Sequence, residues 1–208
     1  MRFLTLASVF GLALASPLQV DLTTASIPTQ KEAAAHARQL LHSNSLATLS
    51  TVFPDGDPIG LLDYYTDCST NGSPTLLSMS IATTFRNVAS GSKITLSLRE
   101  KKEDGGEWGS VAAHPRLAIM GTLVDVPEEE VEATKECFVG RHHDAKWWTP
   151  GNRIHKSKWV RMEVEKVYWV GGFGNVAYIG WIPKDIWEGV ETEDDVLNKT
   201  MEEGEGEL

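Results

Sequence analysis

The stretch that most constrains the fold is WVRMEVEKVYWVGGFGNVAYIGWIP, from Trp159 to Pro183. Its first half alternates apolar and charged side chains, the period-two pattern of a strand with one buried face. The glycines that follow, Gly172-x-Gly174-x-x-Ala177, trace the outline of a dinucleotide-binding turn. Such a turn has to open a helix and be followed by a ribose-binding acid about 20 residues on. Only eight residues separate Gly174 from Pro183, and they are rich in Val, Ala, Tyr, Ile and Trp. No helix fits there, so the glycines are read as a β-turn joining two strands, with Phe173 and the neighbouring tryptophans packing a barrel or lining its groove.

The rest of the chain has the same character. TQKEAAAHARQLLHSN opens with a Thr29/Glu32 capping box and repeats Ala33, His36, Ala37, Leu40 and Leu41 at helical spacing, predicting a helix over 31–42. LATLSTVF and IGLLDYYTD, split by Pro54-Asp55-Gly56-Asp57-Pro58, read as a hairpin. TLLSMS is a strand, TTFRNVAS a short helix and KITLSL a strand. REKKEDGGEWGSVAAH is a polar loop. PRLAIMGTLVDV is a long strand whose central glycine suggests a bend or bulge. PEEEVEATKECFV is a helix with acids at its positive end, and GRHHDAKWWTPGNRIHKS is irregular. Short connections between six or more strands, with helices at the periphery, predict a mostly β fold: an antiparallel barrel with flanking helices.

The ends differ from this body. MRFLTLASVFGLALASPLQV has Arg2, an apolar run from Phe3 to Ala15 and a small-x-small close, so residues 1–15 read as a secretory signal peptide. The expected location is extracellular or a vacuolar-lysosomal lumen. Asn71-Gly72-Ser73 and Asn198-Lys199-Thr200 are then candidate glycosylation sites. Cys68 and Cys137 can pair in that compartment or remain separate thiols. Residues 188–208 hold nine acids and one lysine without apolar periodicity, an acidic tail expected to be disordered. The body over 16–187 has 17 basic and 20 acidic residues. It lacks a basic stripe, and no later run approaches the roughly 20 apolar residues of a spanning helix, so neither nucleic acid nor membrane is an expected partner.

TFRNVASGSKITLSL, the segment Arg141-His142-His143-Asp144 followed by Trp147 and Trp148, and the Gly171-Gly172-Phe173-Gly174 turn occur in one order. In that order the chain resembles the CREG family, secreted glycoproteins of the FMN-binding split-barrel superfamily related to pyridoxamine 5′-phosphate oxidases. The turn is also similar to that of HugZ-type haem oxygenases. The resemblance covers residues 32–187 and departs from the family where His143 stands for a usual proline and where His114-Pro115 replaces a usual cysteine. It implies an antiparallel split barrel, a homodimer, and an FMN groove between two barrels. The phosphate positions carried over are Ser78, Ser80, Thr83, Thr84 and Arg86, hydroxyls and a guanidinium suited to a dianion. Arg141, His142 and Trp169 are carried over as further groove residues. A structural alternative has Ser80 and Thr84 capping a helix and Arg86 in a surface ion pair.

Two functions follow from the resemblance. One is a secreted, non-catalytic glycoprotein that binds a protein or small-molecule partner through its dimer surface or a vestigial flavin groove, the loop over 99–114 being where an obstruction of that groove would sit. The other is an FMN-dependent oxidoreductase. Haem is a third reading, since six of seven tryptophans lie between Trp147 and Trp187 and His142, His143 and His155 are candidate axial ligands. Tryptophans near-alternating along a strand, such as Trp159 and Trp169, more often fill a core. A metal site at His142, His143, Asp144 and His155 is disfavoured, because neighbours in an irregular segment seldom converge on one centre. No G-x-S-x-G elbow supports a hydrolase.

Overall fold

The computed structural model describes residues 26–100 and 110–190. The predicted signal peptide, most of the predicted acidic tail with Asn198, and residues 101–109 of the polar loop lie outside that range. Helix α1 (Gln30–Ser43) starts where the capping box placed it. Thr29 Oγ1 accepts the Glu32 N–H at 3.3 Å, and the Glu32 carboxylate accepts the Thr29 N–H at 2.8 Å. That second bond is the main reason the Glu32 carboxyl lies below its ordinary pKa.

Seven strands follow: β1 (Leu46–Val52), β2 (Pro58–Tyr64), β3 (Thr75–Met79), β4 (Ile94–Arg99), β5 (Arg116–Asp125), β6 (Ser157–Val170) and β7 (Ile179–Ile182). Helix α2 (Thr83–Ala89) joins β3 to β4, α3 (Val131–Arg141) precedes β6, and α4 (Lys184–Gly189) follows β7. The strands form one antiparallel sheet in the order β2-β1-β4-β5-β6-β3. Its edges meet only just beyond β2, where Thr66 and Thr75 exchange backbone bonds of 3.0 and 2.8 Å. This is the mostly β split barrel with flanking helices that the sequence predicts.

Strand β6 organises the barrel. Along one side it pairs with β5; along the other, residues 157–161 take β3 and residues 167–170 take β7. The predicted bend is a bulge: Met120 opposes Lys166 and Gly121 opposes Val164, leaving Glu165 unpaired with β5. A Cβ on Gly121 would stand 2.0 Å from the Glu163 carbonyl oxygen, so only glycine permits this approach. Leu49, Leu96, Ile119, Met162, Val164 and Trp169 fill the barrel between the strands and α1.

Two features depart from the sequence reading. His36 is exposed and Arg38 is buried on α1's packed face, completely excluded from solvent. The folded body does not end at Trp187. After Pro183, α4 carries the chain to a buried Val190, and the fully buried Trp187 donates Nε1–H to Gly72 O at 3.2 Å. Arg38 explains both: its guanidinium donates to Trp187 O (3.2 Å), Val190 O (3.0 Å) and Thr70 O (2.9 Å), lying over the Trp187 ring at 5.4 Å. Arg38→Met keeps an apolar stem but leaves three carbonyls without these donors. It should lower stability by about 3 kcal/mol in urea unfolding; an unchanged midpoint would refute the role given to Arg38.

Candidate functional site

The residues predicted to grip a phosphate divide on folding. Ser78 is the next-to-last residue of β3, opposite Lys158 of β6. Ser80 follows, and its backbone N–H donates to Lys156 O at 2.9 Å. Those bonds set a strand end, the start of α2 and the start of β6 around one cleft of about 490 Å³. Ser78, Ser80, Arg86, Lys156, Ser157 and Lys158 supply its polar wall, and Phe85, Val88, Leu123 and Val160 its apolar one. Thr83 and Thr84 do not line it; Thr84 is buried one turn before Asn87, which donates to Thr51 Oγ1 at 3.1 Å.

The capping alternative does not hold here. Ala82 is the N-cap of α2 and no side chain caps the helix. Among the described residues Arg86 and Lys156 have no carboxylate partner, whereas Lys158 pairs with Asp125 at the cleft edge. Lys156 and Lys158 were not singled out from sequence, because their approach to Arg86 depends on the β3–β6 register. The cleft thus offers hydroxyls and two uncommitted cations beside an apolar wall, an arrangement that can receive a small anion with a hydrophobic body.

Arg141, His142 and Trp169 belong elsewhere. Arg141 donates to Ser43 O at 2.9 Å and His42 O at 3.4 Å, satisfying carbonyls that the end of α1 leaves open. His142 is buried, stacks on Tyr64 at 4.3 Å and donates from Nε2 to Tyr65 O at 2.9 Å. Asp144 accepts the Tyr64 hydroxyl at 2.9 Å, which raises the Tyr64 pKa. The basic, aromatic segment therefore fastens α1 and β2 to α3. Nearby, Cys68 and Cys137 form a disulfide with Cα atoms 6.0 Å apart, settling that alternative in favour of pairing. Asn71 is exposed on the same loop, its Oδ1 accepting the Ser73 N–H at 3.2 Å. Among the described residues no group of His, Cys, Asp and Glu could hold a metal ion.

Trp169 is barrel core, and Trp159 packs under α3 with Leu77 and Phe138. A Cβ on Gly171 would fall 2.8 Å from Trp169 Nε1, and Gly172 (φ +141°) would meet Ala113 O at 3.1 Å. The Phe173 carbonyl closes the turn by accepting the N–H groups of Val176 and Ala177. The Phe173 side chain itself is exposed rather than packed into the barrel. A second, shallower groove of about 910 Å³ lies on the outer sheet face; Thr48, Ser97 and Ala118 form its floor, with Leu62, Tyr168 and Ile179 beside them. No histidine lines either groove.

A split barrel with a polar cleft between α2 and β6 defines the class of this protein. Residues 28–188 match the family described as CREG, beta-barrel, and the chain belongs to that family. Among solved structures it is similar to a heme binding protein from Mycobacterium smegmatis, with 21% identity and a TM-score of 0.65, covering 80% of this chain and 63% of that one. It is also similar to a protein of unknown function from Agrobacterium tumefaciens, with 22% identity and a TM-score of 0.55, covering 73% of this chain and 63% of that one. This chain therefore spans less than two thirds of either. No curated protein matches it.

One titrating group in the His142 cluster gives a test. Burial raises the Asp63 pKa, opposed in part by the Tyr64 N–H bond to Oδ1 (2.8 Å) and the neighbouring His142. A raised folded-state value means that folding favours protonated Asp63. Stability from this site is greatest below the ordinary carboxylate range and falls as pH rises through the folded pKa. Asp63→Asn, which keeps Oδ1, should be more stable than the parent near neutral pH, with the advantage shrinking to nothing in acid. Equal thermal midpoints across that range would contradict the assignment.

Proposed function

We propose that the chain is a secreted, homodimeric CREG-family glycoprotein that binds a phosphate-bearing small molecule of the flavin mononucleotide type in the α2–β6 cleft. The observation that carries this reading is the uncommitted cation pair, Arg86 and Lys156, beside Ser78 and Ser80 in a protein of net charge −10. The residues fit such a group: the cations and hydroxyls would hold its phosphate, and Phe85, Val88, Leu123 and Val160 would shield its ring from water. The cleft volume falls within the roughly 300–1,000 Å³ of small-molecule sites. When bound, a flavin supplies the redox chemistry of its isoalloxazine. The chain's own part is binding and orientation, since Asp125, the carboxylate of the lining, is tied to Lys158.

The outer groove supports the homodimer. Leu62 is 69% exposed, Trp181 50% and Ile179 43%, beside a floor of small side chains that a second copy can approach closely. Haem is the alternative, as the Mycobacterium smegmatis relative is described as heme binding. Of its candidate axial ligands, His142 has Nε2 occupied by a backbone carbonyl, which leaves the exposed His143 and the half-buried His155, neither of which lines a groove.

Quenching of FMN fluorescence by the purified dimer tests the reading. Arg86→Ala and Lys156→Ala should each weaken binding about tenfold or more, as loss of a charge-assisted bond predicts. Leu62→Glu should convert the dimer to monomer in light scattering. No quenching by the parent protein, or a Soret band with haemin that these variants leave intact, would overturn the ligand proposed; a monomeric parent would overturn the dimer.

A further inference from the structure

The loop entering β6, from Lys146 to Lys156, holds three cations and no carboxylate in a chain with 29 acids and 19 bases. It also displays large apolar side chains that the fold leaves in water. Trp147 is 65% exposed and Ile154 80%; Ile81, next to Ser80 and so beside Lys156, is 62% exposed. The loop is held in shape from within. Asn152 Nδ2 donates to Trp147 O, Ile154 N–H to Asn152 Oδ1 at 2.7 Å, and Ser157 Oγ to Trp148 O at 2.6 Å. Lys146 Nζ sits 5.1 Å from the Trp147 ring. A loop braced from within that projects a tryptophan and an isoleucine among cations suits an anionic surface with hydrocarbon beneath it.

We infer that this loop docks peripherally on membranes rich in anionic phospholipid, with Trp147 and Ile154 entering the interface and Lys146 and Arg153 meeting headgroup phosphates. Trp side chains favour the headgroup level, and clustered Lys and Arg side chains are drawn to anionic leaflets. A polyanionic glycan would satisfy the cations but leave Ile154 and Ile81 without a partner. A second copy is a poorer occupant, because an isologous contact centred on the loop sets its cations against themselves. The expectation of no membrane partner came from the want of a spanning segment, and among the described residues no helix can cross a membrane; peripheral docking needs none. The inference is independent of the flavin reading, since Lys146, Trp147, Arg153 and Ile154 do not line the cleft, and Lys156, which does, is left to it.

Co-sedimentation of the full dimer with phosphatidylcholine vesicles, with and without phosphatidylserine, tests it. Binding should require phosphatidylserine. It should fall about fivefold for each cation removed in Lys146→Gln and Arg153→Gln, and about tenfold or more in Trp147→Ala/Ile154→Ser. Thermal midpoints of these exposed-site variants should match the parent's. No vesicle binding would overturn the inference. So would binding that the apolar variant leaves unchanged, retention on heparin without vesicle binding, or monomerisation by either set of variants.

Discussion

The architecture turns on the close approach of β5 to β6 at Gly121. With the Glu163 carbonyl 2.0 Å from where a Cβ would stand, the two strands meet there only because one of them has no side chain. The bulge that results shifts the register by one residue, so each half of β6 presents its free edge to a different strand. The half bearing Lys158 pairs with β3, and the half bearing Trp169 pairs with β7. From this division come the two ends of the molecule: a polar cleft where β3 turns into α2, and a closed turn at Gly171 to Gly174. The same pairing leaves the barrel split, its edges joined at Thr66 and Thr75 and tied nearby by Cys68–Cys137.

Much of this was legible in the sequence because it is local. Period-two alternation marks a strand wherever it packs, the Thr29/Glu32 pair caps a helix without outside help, and Gly121 announced a bend by its position in an apolar run. What escaped was long-range. Arg38 carries no local signal of its role, because its three carbonyl partners, one 32 residues away in sequence and two about 150, come beside it only on folding. Helix α4 has six residues and little apolar pattern; its burial depends on that arginine and on Gly72.

The candidate site divided along the same line. Ser78, Ser80 and Arg86 are close in sequence and could be named together as candidates, with Thr83 and Thr84 that the cleft leaves out, whereas Lys156 and Lys158 arrive through strand pairing alone. Arg141 and His142 stood out for their chemistry, yet a guanidinium and an imidazole serve equally well to satisfy carbonyls and fill an aromatic stack. What separates the two groups physically is commitment. Arg141 and His142 already donate to backbone oxygens, while Arg86 and Lys156 have no carboxylate among the described residues.

In an acidic chain, cations without a carboxylate partner among the described residues would set a local field opposed to the overall charge, the basis of the proposed anion binding in the cleft. The most direct test of a phosphate-binding cleft is a map of where such a ligand lands. In amide NMR of the labelled protein titrated with FMN, the resonances of Ser78, Ser80, Arg86 and Lys156 should shift together along one binding curve, while Gly171 to Gly174 stay in place. Shifts centred on the glycine turn or on the outer groove at Ala118 and Ile179, with the cleft unmoved, would contradict it.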